Sequence, residues 1–222
     1  LPEAEPPSAA AGLHRVVWDL HYAPAAGLSR SRRAATGVWA PPGRYTVRLT
    51  AAGQTLTQAL VVGKDPRVSA TVEDLVRQFE LARRVEADRV RAGTALASAT
   101  SLRKQAAALA GKASGNAAAA LAEFGKQVDA AAGPPTSPEE FYDVSQASPT
   151  SLLRLVVSLA RLQGSIESAD VAPTPDAATG FAQRQEALEQ GLARWNRVVQ
   201  TDLPKVNAAL GAAGLPALKA DG

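Results

Sequence analysis

The strongest constraint on this chain is a change of period at Pro66: before it apolar residues recur every second position, and after it every third or fourth. In Gly12 to Tyr22, GLHRVVWDLHY, the residues His14, Val16, Trp18, Leu20 and Tyr22 fall on one side, and Arg15, Val17, Asp19 and His21 on the other. That period of two predicts a half-buried strand anchored by Trp18. Pro41-Pro42-Gly43 reads as a tight turn, since proline presets φ and glycine takes a positive φ cheaply. It delivers Tyr45, Val47 and Leu49 inward, with Thr46, Arg48 and Thr50 outward. Ala51-Ala52-Gly53-Gln54 then turns the chain into Thr55 to Val62, a predicted β-hairpin. Lys64-Asp65-Pro66 closes the strand, because proline has no N–H for a ladder. Three or four strands in so short a stretch predict a small, truncated immunoglobulin-like sandwich. Its open face needs cover, from the helices or from a domain outside these residues.

Beyond Pro66 the pattern is helical. Thr71-Val72-Glu73-Asp74 has the form of a capping box, ahead of a long helix through Leu75, Phe79, Ala82, Val85, Leu96, Leu102 and Leu109. Gly111 and Gly115-Asn116 break it, and Ala117 to Ala131 forms a second helix ended by Gly133-Pro134-Pro135. Ser137-Pro138, Ser148-Pro149 and Thr174-Pro175 each place a hydroxyl at a cap and proline at the first helical position. The first opens a short turn around Glu139 to Tyr142. The second leads into the stripe Leu152, Leu155, Val156, Leu159, Leu162 and Ile166; the third into Phe181, Leu188, Leu192, Trp195 and Val199. Pro204 should kink or restart the last helix before Gly214 and Pro216. The expected architecture is α+β in two domains: a linker over 1–11, an Ig-like β-sandwich domain over 12–68, and an up-and-down four-helix bundle over 69–222.

Composition removes several classes of function. There is no cysteine, which excludes disulfides, zinc ribbons, thiolate nucleophiles and iron–sulfur clusters. A net charge of +3 on 222 residues is too small for a cationic, phosphate-binding surface. The longest apolar run, Leu152 to Ala160, is interrupted by Arg154 and far short of a bilayer span, so no membrane span is expected. The chain has no methionine and opens on a Pro- and Ala-rich stretch, as a segment within a longer or processed polypeptide would. Much of the apolar content is alanine, which favours helix but buries little area, so closely packed helices on thin cores are expected.

Candidate chemistry is sparse. Asp19 and His21 share a strand face, but no GxSxG or other nucleophile accompanies them. His14 and His21 lack metal-ligand spacing. Glu73-Asp74 and Glu139-Glu140 are adjacent acids at helix starts, where the dipole favours them, and not acids facing across a cleft. Arg30, Arg32 and Arg33 lie in a loop. Arg83, Arg84, Arg89 and Arg91 share their helix with Glu80, Glu86 and Asp88, at spacings that pair charges on a solvated face. Gly111-Lys112-Ala113-Ser114 follows a helix, whereas a P-loop follows a strand. No catalytic, cofactor-binding or metal residue is assigned, and no nucleic-acid partner is expected.

One resemblance supplies a context. GLHRVVWDLHY, APPGRYTVRLT and the run Leu60-Val61-Val62 to Lys64-Asp65-Pro66-Arg67-Val68 resemble the C-terminal region of large bacterial secreted sortilin-like proteins with BNR/Asp-box β-propellers. These proteins are often labelled glycosyl hydrolases. Arg15, Trp18, Asp19, Leu20 and Tyr22 match the family's entry strand, Pro41 to Leu49 its hairpin, and Lys64 to Val68 the step that follows. His14 stands where asparagine is usual, and His21 where arginine is usual. The Asp-box repeats themselves, S-x-D-x-G-x-x-W, are absent, so propeller chemistry would lie outside these residues. The resemblance implies a non-catalytic accessory region, extracytoplasmic, with the upstream propeller as partner and homo-oligomerisation as a further role. The alternative it implies is one wall of the substrate cleft of a sialidase-like hydrolase, with a pocket lined by Trp39, His21 or the Arg30 to Arg33 loop.

Overall fold

The computed structural model describes residues 10–25, 37–135, 144 and 147–220. Most of the predicted linker lies outside these, as do Arg30, Arg32, Arg33, Ser137-Pro138 and Glu139 to Tyr142.

The β part is a hairpin, not a sandwich. β1 (Gly43–Ala51) pairs antiparallel with β2 (Gln54–Val62) in unbroken register from Gly43↔Val62 to Ala51↔Gln54. The loop is Ala52-Gly53, with φ of 49° and 75°. Positive φ at both positions is the two-residue turn whose twist matches that of its strands. Residues opposite each other share a face, so Tyr45, Val47 and Leu49 line up with Leu60, Gln58 and Leu56. Arg44, Thr46 and Arg48 fall on the other face with Val61, Ala59 and Thr57. The predicted alternation is therefore present, but its inward face is met at one end alone, where Trp18 packs on Tyr45. Val47, Leu49 and Leu56 are 52%, 57% and 66% exposed, and no helix packs on either strand.

The predicted strand over Gly12 to Tyr22 is also corrected. Only His21 makes a bridge, to Trp39, supported by Tyr22 N–H donating to the Val38 carbonyl (2.9 Å) and Ala40 N–H to that of Leu20 (2.7 Å). Leu20 adopts a φ of 63°, which a leucine takes only under constraint, and this kink ends the alternation before a ladder can extend. Trp18 is 39% exposed; it packs edge-on against Tyr45 at 5.3 Å and is no core anchor.

Helices account for the rest. α1 (Val72–Ala110) runs 39 residues, about 58 Å at the helical rise. Its predicted capping box is formed: Asp74 N–H donates to Thr71 Oγ1 (3.1 Å), and Thr71 N–H to Asp74 Oδ2 (2.9 Å). α2 (Gly115–Ala132) folds back along the C-terminal half of α1, where Arg103 reaches Asp129 and the Gly133 carbonyl. α3 (Leu152–Ile166) lies antiparallel along the N-terminal half, with Gln78 bonded to the Ile166 carbonyl (2.6 Å) and Ala92 packed on Leu155. Ser151 caps α3, its hydroxyl accepting from Arg154 N–H, while Ser148-Pro149 makes only the turn before it. α4 (Pro175–Arg197) starts at Thr174 as predicted, with Ala177 N–H donating to Thr174 Oγ1 (3.1 Å).

Pro204 does not interrupt the last column. A π-helical turn over Val198–Asp202 joins α4 to α5 (Leu203–Ala212), and Leu203 N–H bonds the Val198 carbonyl. The wider turn makes room for Pro204, which has no N–H to bond the carbonyl four residues back and whose ring would crowd it. The bundle therefore has three columns: α1; α2 followed by α3; and α4 through α5. An up-and-down arrangement of four equal helices is not what forms, because α2 and α3 share one column along different halves of α1.

The largest core cluster joins Ala95, Ala99, Leu102, Leu121, Phe124, Val128, Trp195 and Val206, with alanines where helices approach. A second contains Leu81, Val85, Leu159, Leu162, Phe181 and, from outside the helices, Val38 at 0% exposure.

Candidate functional site

The β unit is joined to the bundle by one compact seam. Val38 is buried among α1, α3 and α4 residues, and its neighbour Trp39 donates its backbone N–H to Glu167 Oε1 (3.1 Å). His21 stacks on Trp39 with ring centroids 3.7 Å apart, and Tyr22 packs on Phe79 at 5.3 Å under the Arg83 guanidinium. Two of the three tryptophans, Trp18 and Trp39, and two of the three tyrosines, Tyr22 and Tyr45, gather here, so much of the chain's aromatic content holds the joint together. Gly37 is required at this point. A Cβ there would sit 2.6 Å from the carbonyl oxygens of both Tyr22 and Ala23.

A polar chain runs inward from the seam. Gln163 Nε2 donates to Glu167 Oε2 (3.1 Å), and Arg89 donates to Gln163 Oε1. Burial pushes the Glu167 carboxyl above the ordinary glutamate value, against the opposing pull of its Trp39 and Gln163 hydrogen bonds and of nearby His21. Burial likewise pushes the Arg89 guanidinium down. Glu86 is 2% exposed; one carboxylate oxygen pairs with Arg83 (3.1 Å) and the other has no partner. Asp88, 6% exposed, is held by Arg91 (3.1 Å), which also reaches Glu189 (2.8 Å). Of the α1 acids read from sequence as surface partners, Glu86 and Asp88 are thus buried, whereas Glu80 is exposed.

The Asp19–His21 pair forms, with His21 Nδ1 3.4 Å from Asp19 Oδ2. The pair holds the imidazole against the Trp39 ring. His14 bonds the Ala10 carbonyl (2.7 Å). Glu73 and Asp74 sit in the first turn of α1, and Gly111 to Ser114 is the α1–α2 connection. Arg84 lies over the Phe181 ring at 5.1 Å. Among the described residues no three His, Asp or Glu side chains group as a metal site would need, and no helix is long and apolar enough to cross a membrane. Glu139-Glu140 and Arg30, Arg32 and Arg33 are outside the described residues.

A shallow pocket of about 50 Å³ opens beside the seam, lined by Trp39, Pro41, Pro42, Gln78, Phe79 and Glu167 among others. Small-molecule sites commonly run to roughly 300 Å³ or more, so a sugar ring does not fit this one as it stands. Gln163 sits inside the apolar stripe of α3 and Glu167 just past its end, and neither carries a motif around it. The only signal was an acid just past the last core residue, Ile166.

The larger feature is the uncovered hairpin. Fold and seam together define a helical scaffold that presents a β-hairpin, apolar on one face and, among the described residues, with no further strand at its edges. No family model, curated protein or solved structure matches the chain.

Proposed function

We propose that this chain is a non-catalytic accessory and interaction region of a larger secreted β-propeller protein, of the kind its opening stretches resemble, and that it packs on the propeller or assists assembly. The observation that carries this reading is the hairpin's apolar face. Val47, Leu49 and Leu56 follow a strict alternation that normally faces a core, yet all three are more than half exposed. The charged Arg44 and Arg48 lie on the opposite face, leaving the apolar one free to meet another β layer. Such a role places the protein outside the cytoplasm, with the propeller as its partner.

The test is a titration of a propeller domain from that family, made without its own C-terminal region, against this chain. Binding that is lost on Leu49→Lys with Leu56→Lys supports the reading. Binding that never occurs, or that survives both changes, removes it.

A second reading takes the seam as one wall of a hydrolase substrate cleft, and the pocket beside Trp39 and Glu167 is what favours it. It requires Trp39→Ala to lower turnover of the propeller-containing protein while its melting temperature holds. Unchanged turnover eliminates it.

A further inference from the structure

We propose that the open edge of β2 pairs antiparallel with the same edge of a second copy, closing a four-stranded sheet across a two-fold axis. This goes beyond the docking face described above, since it uses the strand's edge and not its apolar side.

The two edges of the hairpin differ in how they are defended. β2, QTLTQALVV, has nine residues with no charge, no proline and no glycine, and its register shows no bulge. Edge strands of soluble proteins are usually blunted by one of these devices. β1 carries Arg44 and Arg48, and the run into it is flanked by Leu20 to Tyr22, bonded to Val38 and Ala40. The unguarded edge is therefore β2, and no helix among the described residues covers it.

The backbone offers the bonds. In a two-residue turn the flanking pair, Ala51 and Gln54, closes on itself, and bonded pairs alternate from there. That leaves Thr55, Thr57, Ala59 and Val61 with N–H and C=O directed to the open side. With full overlap the two-fold axis passes at Gln58, and Leu56 meets the second copy's Leu60 on the apolar face. Every side chain keeps its own face, and no charge meets another. Pairing through β1 at the same full overlap would set Arg44 opposite Thr50 and Arg48 opposite Thr46, with Arg48 diagonal to both β1 arginines of the second copy. The same asymmetry stops growth after one addition, which gives a closed dimer and not a fibril. Nine residues a side is below the 20–30 or so of a standard interface, so association is weak and concentration-dependent.

Sedimentation of the purified chain should show its mass doubling as concentration rises. Ala59→Lys and Ala59→Glu should each hold it at single-chain mass, and an equimolar mixture of the two variants should recover the doubled species. That recovery would also show that both variants fold. Thr46→Lys, on the guarded edge, should leave the dimer intact. A wild-type chain of single-chain mass at every concentration overturns the proposal and leaves the docking face untouched. So does a dimer indifferent to both changes at Ala59, or one lost on Leu49→Lys alone.

Discussion

Gly191 lies inside α4, where alanine would ordinarily be preferred by about 1 kcal/mol. Here a Cβ would stand 2.5 Å from the Thr150 carbonyl oxygen and 2.8 Å from Leu155 Cδ1, because α4 crosses tightly over the start of α3. Gly191→Ala should therefore destabilise the chain by about 1–3 kcal/mol. Gly125→Ala in α2, with nothing within 4 Å, should stabilise it by about 0.5–1 kcal/mol. Denaturant midpoints would show the opposite signs. Glu167 gives a pH-dependent counterpart. Its carboxyl is raised by burial, so the folded state favours the protonated form. Its contribution is complete below the ordinary glutamate pKa and is lost as pH rises through the raised one. The melting temperature of the wild type should fall across that window relative to Glu167→Gln, which has no proton to lose. Parallel curves would contradict this assignment. Neither glycine nor acid announces itself in the sequence, because a close approach and a desolvated carboxyl are properties of what lies opposite.

At the scale of elements, caps and periods were readable and pairing was not. Thr71 with Asp74, and Thr174 with Pro175, start α1 and α4 as their residue types require. Ser148-Pro149 matched the same pattern, but the helix waits for Ser151, whose side chain is wholly buried and also donates to the Ser148 carbonyl (2.8 Å). Ser151→Ala should cost about 1–2 kcal/mol, and Ser148→Ala less than about 0.5, in thermal or denaturant melts. Equal costs would return the cap to Ser148. The sequence also carried both hairpin strands and their two-residue turn, since alternation and an Ala-Gly loop are local signals. It misread Gly12 to Tyr22, where alternation continues but the φ of Leu20 turns the chain out of line. A strand needs a neighbour, and none of the described residues supplies one beyond the single bridge at His21.

For the whole molecule, the consequence is unequal stability. A two-stranded hairpin with no covering layer is marginal in water, whereas the three-column bundle has a continuous core. Hydrogen exchange should find β1 and β2 amides exchanging orders of magnitude faster than those of α1 near Leu102. Comparable protection would mean that the hairpin is covered in solution, and loss of that protection on dilution would indicate the second copy. Val38 should couple the two parts: Val38→Ala deletes two buried methyl groups from the α1–α3–α4 cluster and should cost the bundle about 1–3 kcal/mol, although the residue lies outside every helix.

By itself the sequence determined where α1 and α4 begin, how the hairpin strands alternate, and that no chemistry here uses cysteine, because caps, periods and residue types act locally. Only the tertiary structure decided that two short helices share one column, that a π turn carries the chain past Pro204, and that the apolar face of the hairpin stays open. Those outcomes depend on which surfaces find a partner. An alternating pattern states that a face should be covered and contains nothing about what covers it.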